Sequence, residues 1–432
     1  MYEYLNNEKS LTKARIQQIQ LARLKETVNY CKTHSNYYRK TLKGFNTNSI
    51  KSINDISLLP FTEKDDLSSQ SESFVCLKDS EIADIVTTSG STGKPLIYKM
   101  SEIDLKRLAY NEMLCFKCAS LTKEDTVLLA VTLDKCFIAG LAYFLGLQAI
   151  GASTLRVGPT SIEMLIQTAI ATKATTIIGV PSYLLKIADY IRLDGIPAKA
   201  LNIRKVICIG EPIRNKDLTL NHAGKILSSS FNNARIFSTY GITELAISFC
   251  ECTSGMGGHS HPEIIYTEIV DENSNVLSPG KEGEVVATVF GVTGMPLLRY
   301  KTGDISYIMN EKCSCGLATP RLGPIIGRKQ HKLKFKGTTV YPQAIINTLA
   351  SIRDITNYCI IATSNIDLSD NIEIKMSLSD PALSDTIRNK LTAVLKVTPA
   401  VTIMDYKDID TLKSSVSLRK KTSFIDKRQI IK

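Results

Sequence analysis

Leu21, Leu24, Val28 and Cys31 recur at three- and four-residue spacing, so the first stretch of the chain reads as an amphipathic helix whose apolar stripe docks on the main body. Between about Asp84 and Leu298 the rhythm changes. Short β-rich runs such as Thr126 to Val131, Thr175 to Val180 and Lys205 to Ile209 alternate with helical stretches, among them Ser161 to Thr172. Strands separated by helices pair in parallel, which predicts an α/β sandwich. The most apolar segment, Cys136 to Ala152, is shorter than a bilayer span requires, contains Gln148 and several glycines, and directly follows Asp134 and Lys135. It is read as a buried helix.

Punctuation by Pro and Gly from Leu322 to Gly327 precedes a segment of different pattern. Asn357 to Thr363 and the alternating Ile372, Ile374 and Met376 predict two strands, Asp380 with Pro381 caps a helix reaching Lys396, and Val401 to Met404 predicts a third strand. The expected division is a large multi-layer α/β domain over residues 1–326 and a small β-β-α-β, α+β domain over 327–432. Neither an internal repeat nor a low-complexity tract interrupts it.

Composition narrows the class further. A chain of 432 residues with 44% hydrophobic and 22% charged residues is that of a folded globular protein in two or three lobes, and excludes a disordered one. The 53 Lys+Arg against 42 Asp+Glu leave +11, a surplus able to attract nucleic acid, anionic lipid or a polyphosphate ligand. Nucleic-acid binding gains no support from an aromatic-interleaved basic motif or from zinc-finger spacing. The opening MYEYLNNEKS lacks the basic patch and apolar run of a secretory signal, and eleven cysteines without such a signal point to reduced thiols, metal binding and a cytoplasmic location. The sequence carries no signal for an oligomeric state.

Chemistry concentrates first in Thr87-Thr88-Ser89-Gly90-Ser91-Thr92-Gly93-Lys94-Pro95. Glycines allow a close backbone approach, hydroxyls and N–H groups donate to phosphate oxygens, and Lys94 adds a positive charge. Only two residues separate Gly90 from Gly93, and Pro95 stands where a nucleotide-triphosphatase P-loop needs Ser or Thr for magnesium, so the segment is a phosphate cradle of another kind.

Three later segments follow in order: Tyr240-Gly241-Ile242-Thr243-Glu244, then Tyr300-Lys301-Thr302-Gly303-Asp304, then Gly327-Arg328 leading to Lys336-Gly337 and Tyr341-Pro342. With QLARLKETV, LLPFTEKDDL and GVPSYLL, this set resembles the adenylate-forming superfamily, and within it the phenylacetate-CoA ligase branch, from about Gln20 to Arg428. The resemblance implies ATP, Mg2+ and coenzyme A as reaction partners, and an acid that is first adenylated and then passed to the CoA thiol. It places the phosphates on Ser89, Gly90, Ser91, Thr92, Gly93 and Lys94, gives Thr243 to the α-phosphate and Glu244 to magnesium, lays adenine between Tyr240 with Gly241 and the strip Gly210-Glu211-Pro212, and gives the ribose hydroxyls to Asp304 beside Arg328. The mobile catalytic lysine aligns with Lys420, Lys421 being its neighbour and competitor. Where the branch has an aspartate at the pivot of its small domain, this chain has Gln330, followed by His331.

Cys252, His259, Cys313 and Cys315 supply three sulfurs and one imidazole, suitable tetrahedral ligands for zinc, with Cys250 and His261 as spare candidates. Some enzymes similar to this one carry a structural Zn2+ at these positions, and the resemblance implies one here, ordinary reduced cysteines being the alternative. By the same resemblance the acid pocket lies near Thr132 to Ala139, Val180 to Tyr183 and Thr239 to Ala246, whose apolar and hydroxylic walls suit an aromatic or medium aliphatic carboxylic acid. Three alternatives stand beside the CoA ligase: an adenylating enzyme that loads the phosphopantetheine arm of a carrier protein, a non-catalytic regulatory relative, and a basic nucleic-acid-binding protein.

Overall fold

Thr12 opens the first helix, Lys13–His34, by accepting from the Arg15 N–H, and Leu24, Val28 and Cys31 are fully buried along one face while Leu21 is half-buried. The expected stripe therefore docks as its spacing requires. The computed structural model describes residues 11–87, 96–335, 338–364, 370–395, 399–415 and 422–428. The chain divides into two compact units, one of residues 1–302 with 306–325 and one of 303–305 with 326–432.

In the larger unit a hairpin, β1 (Asp84–Thr87) and β2 (Ile97–Met100), precedes the main sheet. Five strands of that sheet run parallel: β3 (Thr126–Ala130), β4 (Ser153–Leu155), β5 (Thr176–Gly179), β6 (Lys205–Ile209) and β7 (Arg235–Ile242). Successive side chains on a strand point to opposite faces, and both faces are apolar. Leu128, Ile177, Val206, Cys208 and Ile236 pack in one core with residues of the helices Ile162–Ala171, Pro181–Leu193 and His222–Ser230. Their neighbours Val127, Leu129, Ile178, Ile207 and Phe237 fall in another, with residues of the Glu102–Cys118 and Ile138–Ile150 helices. The apolar segment read as a buried helix starts at Ile138, because Lys135 and Cys136 take φ of +61° and +54° and end the turn before it.

Beyond β7 the pairing becomes antiparallel, through β8 (Ile247–Glu251) and β9 (Gly258–His259). β10 (Ile265–Val270) and β11 (Gly283–Val289) pair antiparallel, β12 (Tyr300–Ser306) lies next to β11, and the short β13 (Ile308–Met309) and β14 (Arg321–Leu322) complete the main sheet beside β9. Among the described residues the sheet is thus mixed, with nine strands in the order β13-β14-β9-β8-β7-β6-β5-β3-β4.

In the smaller unit β15 (Gly327–Arg328) pairs with the end of β12, and β16 (Leu333–Phe335) with β17 (Thr338–Val340) form a hairpin. The two expected central strands are β18 (Ile355–Ser364) and β19 (Asp370–Leu378), paired antiparallel, with β20 (Ala400–Ile403) parallel to β19 at one edge. Asp380 does cap the chain by accepting from the Ala382 N–H, but Pro381–Leu383 forms a single tight turn and the α-helix runs from Ser384 to Leu395. A fourth strand not expected from the pattern, β21 (Phe424–Asp426), lies parallel to β18 at the other edge. Its three residues are too few to show an alternation. Among the described residues no helix is long and apolar enough to cross a membrane.

Candidate active site

β6 and β7 pair in parallel with Ile209 opposite Thr239, so the next residues in line are Gly210 and Tyr240. They stand at the carboxyl edge of the parallel strands, where open α/β sheets bind ligands. Gly210 has φ of +77°, a left-handed conformation that glycine adopts without a side-chain clash and that turns the chain out of β6. Glu211 then accepts from both the backbone N–H and the hydroxyl of Ser182 at 2.9 Å, in the first turn of the Pro181–Leu193 helix. A carboxylate is favoured there by the unpaired N–H groups of the helix end. Asn221 donates to the Pro212 carbonyl at 2.9 Å, so the strip 210–212 is held from both sides. The half-buried Tyr240 ring is aligned by the Phe249 ring, 6.1 Å away and inclined by 22°.

Thr243 and Glu244, both half-buried, form a tight turn with Leu245 directly after β7. The turn closes on Ala246, whose φ of +46° is costly for a residue with a Cβ. Arg107, fully buried on the Glu102–Cys118 helix, holds that conformation. Its guanidinium donates to Ala246 O at 2.8 Å, to Phe290 O at 2.7 Å and to Ile264 O at 2.9 Å. Asn111 and Cys115, one and two turns further along the helix, both donate to Ser248 O. The helix thereby fixes the backbone on either side of the Thr243-Glu244 turn.

The segment Thr132 to Ala139 follows β3 at the same edge, with Thr132 half-buried and Lys135, Cys136 and Phe137 exposed. Gly140 is required there, since a Cβ would lie 2.0 Å from Thr132 O. Thr87, at the end of β1, donates its N–H to Cys136 O at 3.0 Å. In the Val180 to Tyr183 stretch the Tyr183 hydroxyl donates to Thr160 O at 2.8 Å. Ser89, Gly90, Ser91, Thr92, Gly93 and Lys94 lie outside the described residues, as do Lys336, Gly337, Lys420 and Lys421. Asp304 and Arg328 belong to the smaller unit, where they sit opposite each other on β12 and β15 with Arg328 Nε 3.3 Å from Asp304 Oδ1.

The structure brings Cys252, His259, Cys313 and Cys315 together, with all four ligand atoms within 4.8 Å of one another. Cys252 Sγ lies 3.5 Å from Cys313 Sγ, and His259 Nε2 lies 3.4 Å from Cys315 Sγ. Four ligands at about 2.0 to 2.3 Å from one ion would be separated by about 3.5 Å, so the set fits a tetrahedral metal. The other ring nitrogen of His259 lies 2.8 Å from the Thr319 hydroxyl, the kind of outer contact that orients a ligating imidazole. Burial raises the Cys313 thiol, yet hydrogen bonds from Ser254, from the Cys315 N–H and from the neighbouring thiols bring it down to about 7. Cys315 is pushed the other way, to about 12, by burial and the adjacent sulfurs. Cys250 is buried on β8 with its thiol beside the Thr239 hydroxyl, and neither it nor His261 joins the four.

Sequence reasoning missed Arg107, Asn111 and the helix-capping role of Glu211. Asp104, Arg107 and Asn111 do recur at helical spacing, but a polar stripe of that kind ordinarily marks a solvated face. Only the segments that fold over it reveal that all three are buried.

Residues 20–294 match the AMP-binding enzyme family, and residues 337–428 match the AMP-binding enzyme C-terminal domain. The phenylacetate-coenzyme A ligase of Thermus thermophilus is 27% identical over 381 residues, covering 86% of this chain and 83% of that protein. The enzyme of the same name from Escherichia coli is 21% identical over 384 residues, covering 86% and 84%. Among solved structures, 2-hydroxyisobutyryl-CoA ligase in the postadenylation state superposes with a TM-score of 0.84 at 20% identity, covering 97% of this chain and 91% of that one.

Proposed function

The chain belongs to the AMP-binding enzyme family, and from that premise we propose that it is an ATP-dependent acid-CoA ligase of the phenylacetate-CoA ligase type. A carboxylate oxygen of the acid attacks the α-phosphorus of ATP, the bond to the bridging oxygen breaks, and pyrophosphate leaves. The CoA thiol then attacks the acyl carbonyl, its proton is lost, and AMP departs. Positioning and charge stabilisation supply most of the rate in such a displacement.

The observation that carries this reading is the Thr243-Glu244 turn held at the carboxyl edge of β7, beside Tyr240 and the pinned 210–212 strip. Adenine fits between Tyr240 with Gly241 and the strip Gly210-Glu211-Pro212. The Thr243 hydroxyl donates to the α-phosphate, where negative charge accumulates as the displacement proceeds. The half-buried Glu244 carboxylate is a hard oxygen donor suited to Mg2+, which when bound neutralises the departing pyrophosphate. Ser89, Gly90, Ser91, Thr92, Gly93 and Lys94 cradle the phosphates, Asp304 accepts from the ribose hydroxyls with Arg328 beside it, and Lys420 reaches the α-phosphate. Residues 1–326 act as the adenylation domain and 327–432 as a mobile domain that pivots near Gln330.

The Cys252, His259, Cys313 and Cys315 set holds a structural Zn2+. Four protein ligands leave no open position for a reacting water, and the ion ties the segment after β8 to the 313–315 loop. The eleven cysteines, none of which forms a disulfide among the described residues, accord with a reducing, cytoplasmic setting.

Acid-dependent exchange of labelled pyrophosphate into ATP, run over a panel of aromatic and medium aliphatic acids, tests the proposal. Exchange with at least one acid, and its thioester on adding CoA, are expected. Loading of a carrier protein but not of CoA would move the acceptor, and ATP binding without exchange for any acid would make the chain a non-catalytic relative.

A further inference from the structure

The last strand of the smaller unit is fastened to the turn near that unit's beginning. β21 lies in register with β18, Phe424, Ile425 and Asp426 opposite Ile360, Ile361 and Ala362, and the Lys427 N–H donates to Ala362 O at 2.8 Å. One residue later the Arg428 side chain reaches the Lys329–His331 turn. Its Nη1 donates to Lys332 O and its Nη2 to Gln330 O, each at 2.8 Å, although 96 and 98 residues separate the partners in sequence.

Two carboxylates hold the guanidinium in that pose. Asp426 accepts from Nε at 2.8 Å and from Nη2 at 2.6 Å, and Asp370 accepts from Nη1 at 3.2 Å. The Phe424 ring lies 5.1 Å from the His331 ring, so β21 meets the turn at two points. Bonds from a charged guanidinium are strong, and they depend on where both carbonyls point. A change of backbone dihedrals at Gln330 that swings either carbonyl away must break them.

We propose that Arg428 is a positioning residue that locks the turn at Gln330, and that through this lock it sets the balance between acid adenylation and thioester formation. Gln330 itself is neutral; beside the turn's own Arg328, Lys329 and Lys332, the charged groups that reach it from far along the chain are Arg428 with its partners Asp426 and Asp370. Lys420, proposed for the first half-reaction, precedes β21 by a few residues, so the strand that follows it is the one bolted to the pivot. The kinetic part of this inference rests on the ligase reading.

Two measurements on the full-length protein decide it. Hydrogen exchange followed by mass spectrometry should show the amides from Gln330 to Leu333 exchanging on the order of tenfold faster in Arg428→Ala than in the wild type. In the same variant the ratio of pyrophosphate exchange to thioester formation from preformed acyl-adenylate should change by at least about fivefold. Arg428→Lys, which can hold one carbonyl but not both, should fall between them. A merely structural role would lower both half-reactions by one factor, and that result, or unchanged exchange at the turn, overturns the proposal. Should the wild type show no acid-dependent exchange of pyrophosphate, the ligase reading fails and the hydrogen-exchange arm alone judges the lock.

Discussion

Glu112 is almost wholly buried on the Glu102–Cys118 helix, and its Oε2 has no hydrogen-bond partner among the described residues. Burial pushes its carboxyl up to about 7, opposed by hydrogen bonds from Ser248 and Asn111 and by the nearby His261. A carboxyl that holds its proton more tightly in the folded chain than at its ordinary 4.5 favours folding at low pH, and that contribution is lost as pH rises through about 7. Glu112→Gln, neutral at every pH, should therefore raise Tm at pH 8 by about 2 °C and flatten the stability profile between pH 5 and 8. Thermal melts across that range check this, and an unchanged profile would mean that Glu112 is not charged inside the fold at pH 8. Nothing in the residue's own neighbourhood in sequence announces it. NEML reads as an ordinary helix surface, and the cost of the charge is imposed by segments that pack on it from elsewhere.

At the scale of elements, the Glu102–Cys118 helix is the support on which the Thr243-Glu244 turn stands. Three backbone carbonyls that come from three different segments converge on Arg107, and removing the donor leaves all three buried without it. Arg107→Met should cost about 3 to 5 kcal/mol in urea unfolding, because an unmade buried hydrogen bond carries its full desolvation penalty. Arg107→Lys should recover part of that. Were Arg107→Met to unfold at the wild-type urea midpoint, the support would be dispensable. That helix was not singled out in the sequence, whereas β3, β5 and β6 were legible from their apolar runs and the Ile162–Ala171 helix from its pattern. The antiparallel half of the sheet was not, since β9, β13 and β14 are two-residue strands whose pairing is decided by neighbours.

Over the whole molecule, each unit carries a core of its own: Leu333, Ile345, Ile360, Ile374 and Leu391 pack together in the smaller, and the clusters on both faces of the main sheet fill the larger. Metal loss should then act on one unit only. Cys313→Ser, or chelation of the wild type, should lower zinc from about one ion per chain and bring down the melting transition of the larger unit, leaving that of the smaller where it was. Metal analysis together with calorimetry reads both, and a metal-free wild type that melts like the variant would remove the site.

The sequence by itself determined the alternation of parallel strands and helices in the larger part of the chain, the central strands of the smaller, the ordered motifs and the four sulfur and nitrogen donors. Those depend on side-chain periodicity and residue type, which act locally. The tertiary structure alone decided that Arg107 meets carbonyls 139, 157 and 183 residues away, that Cys252 meets Cys313 across 61, and that Arg428 meets the turn at Gln330. Such meetings follow from which distant segments bury one another, and burial is what turns an ordinary surface arginine or glutamate into a structural one.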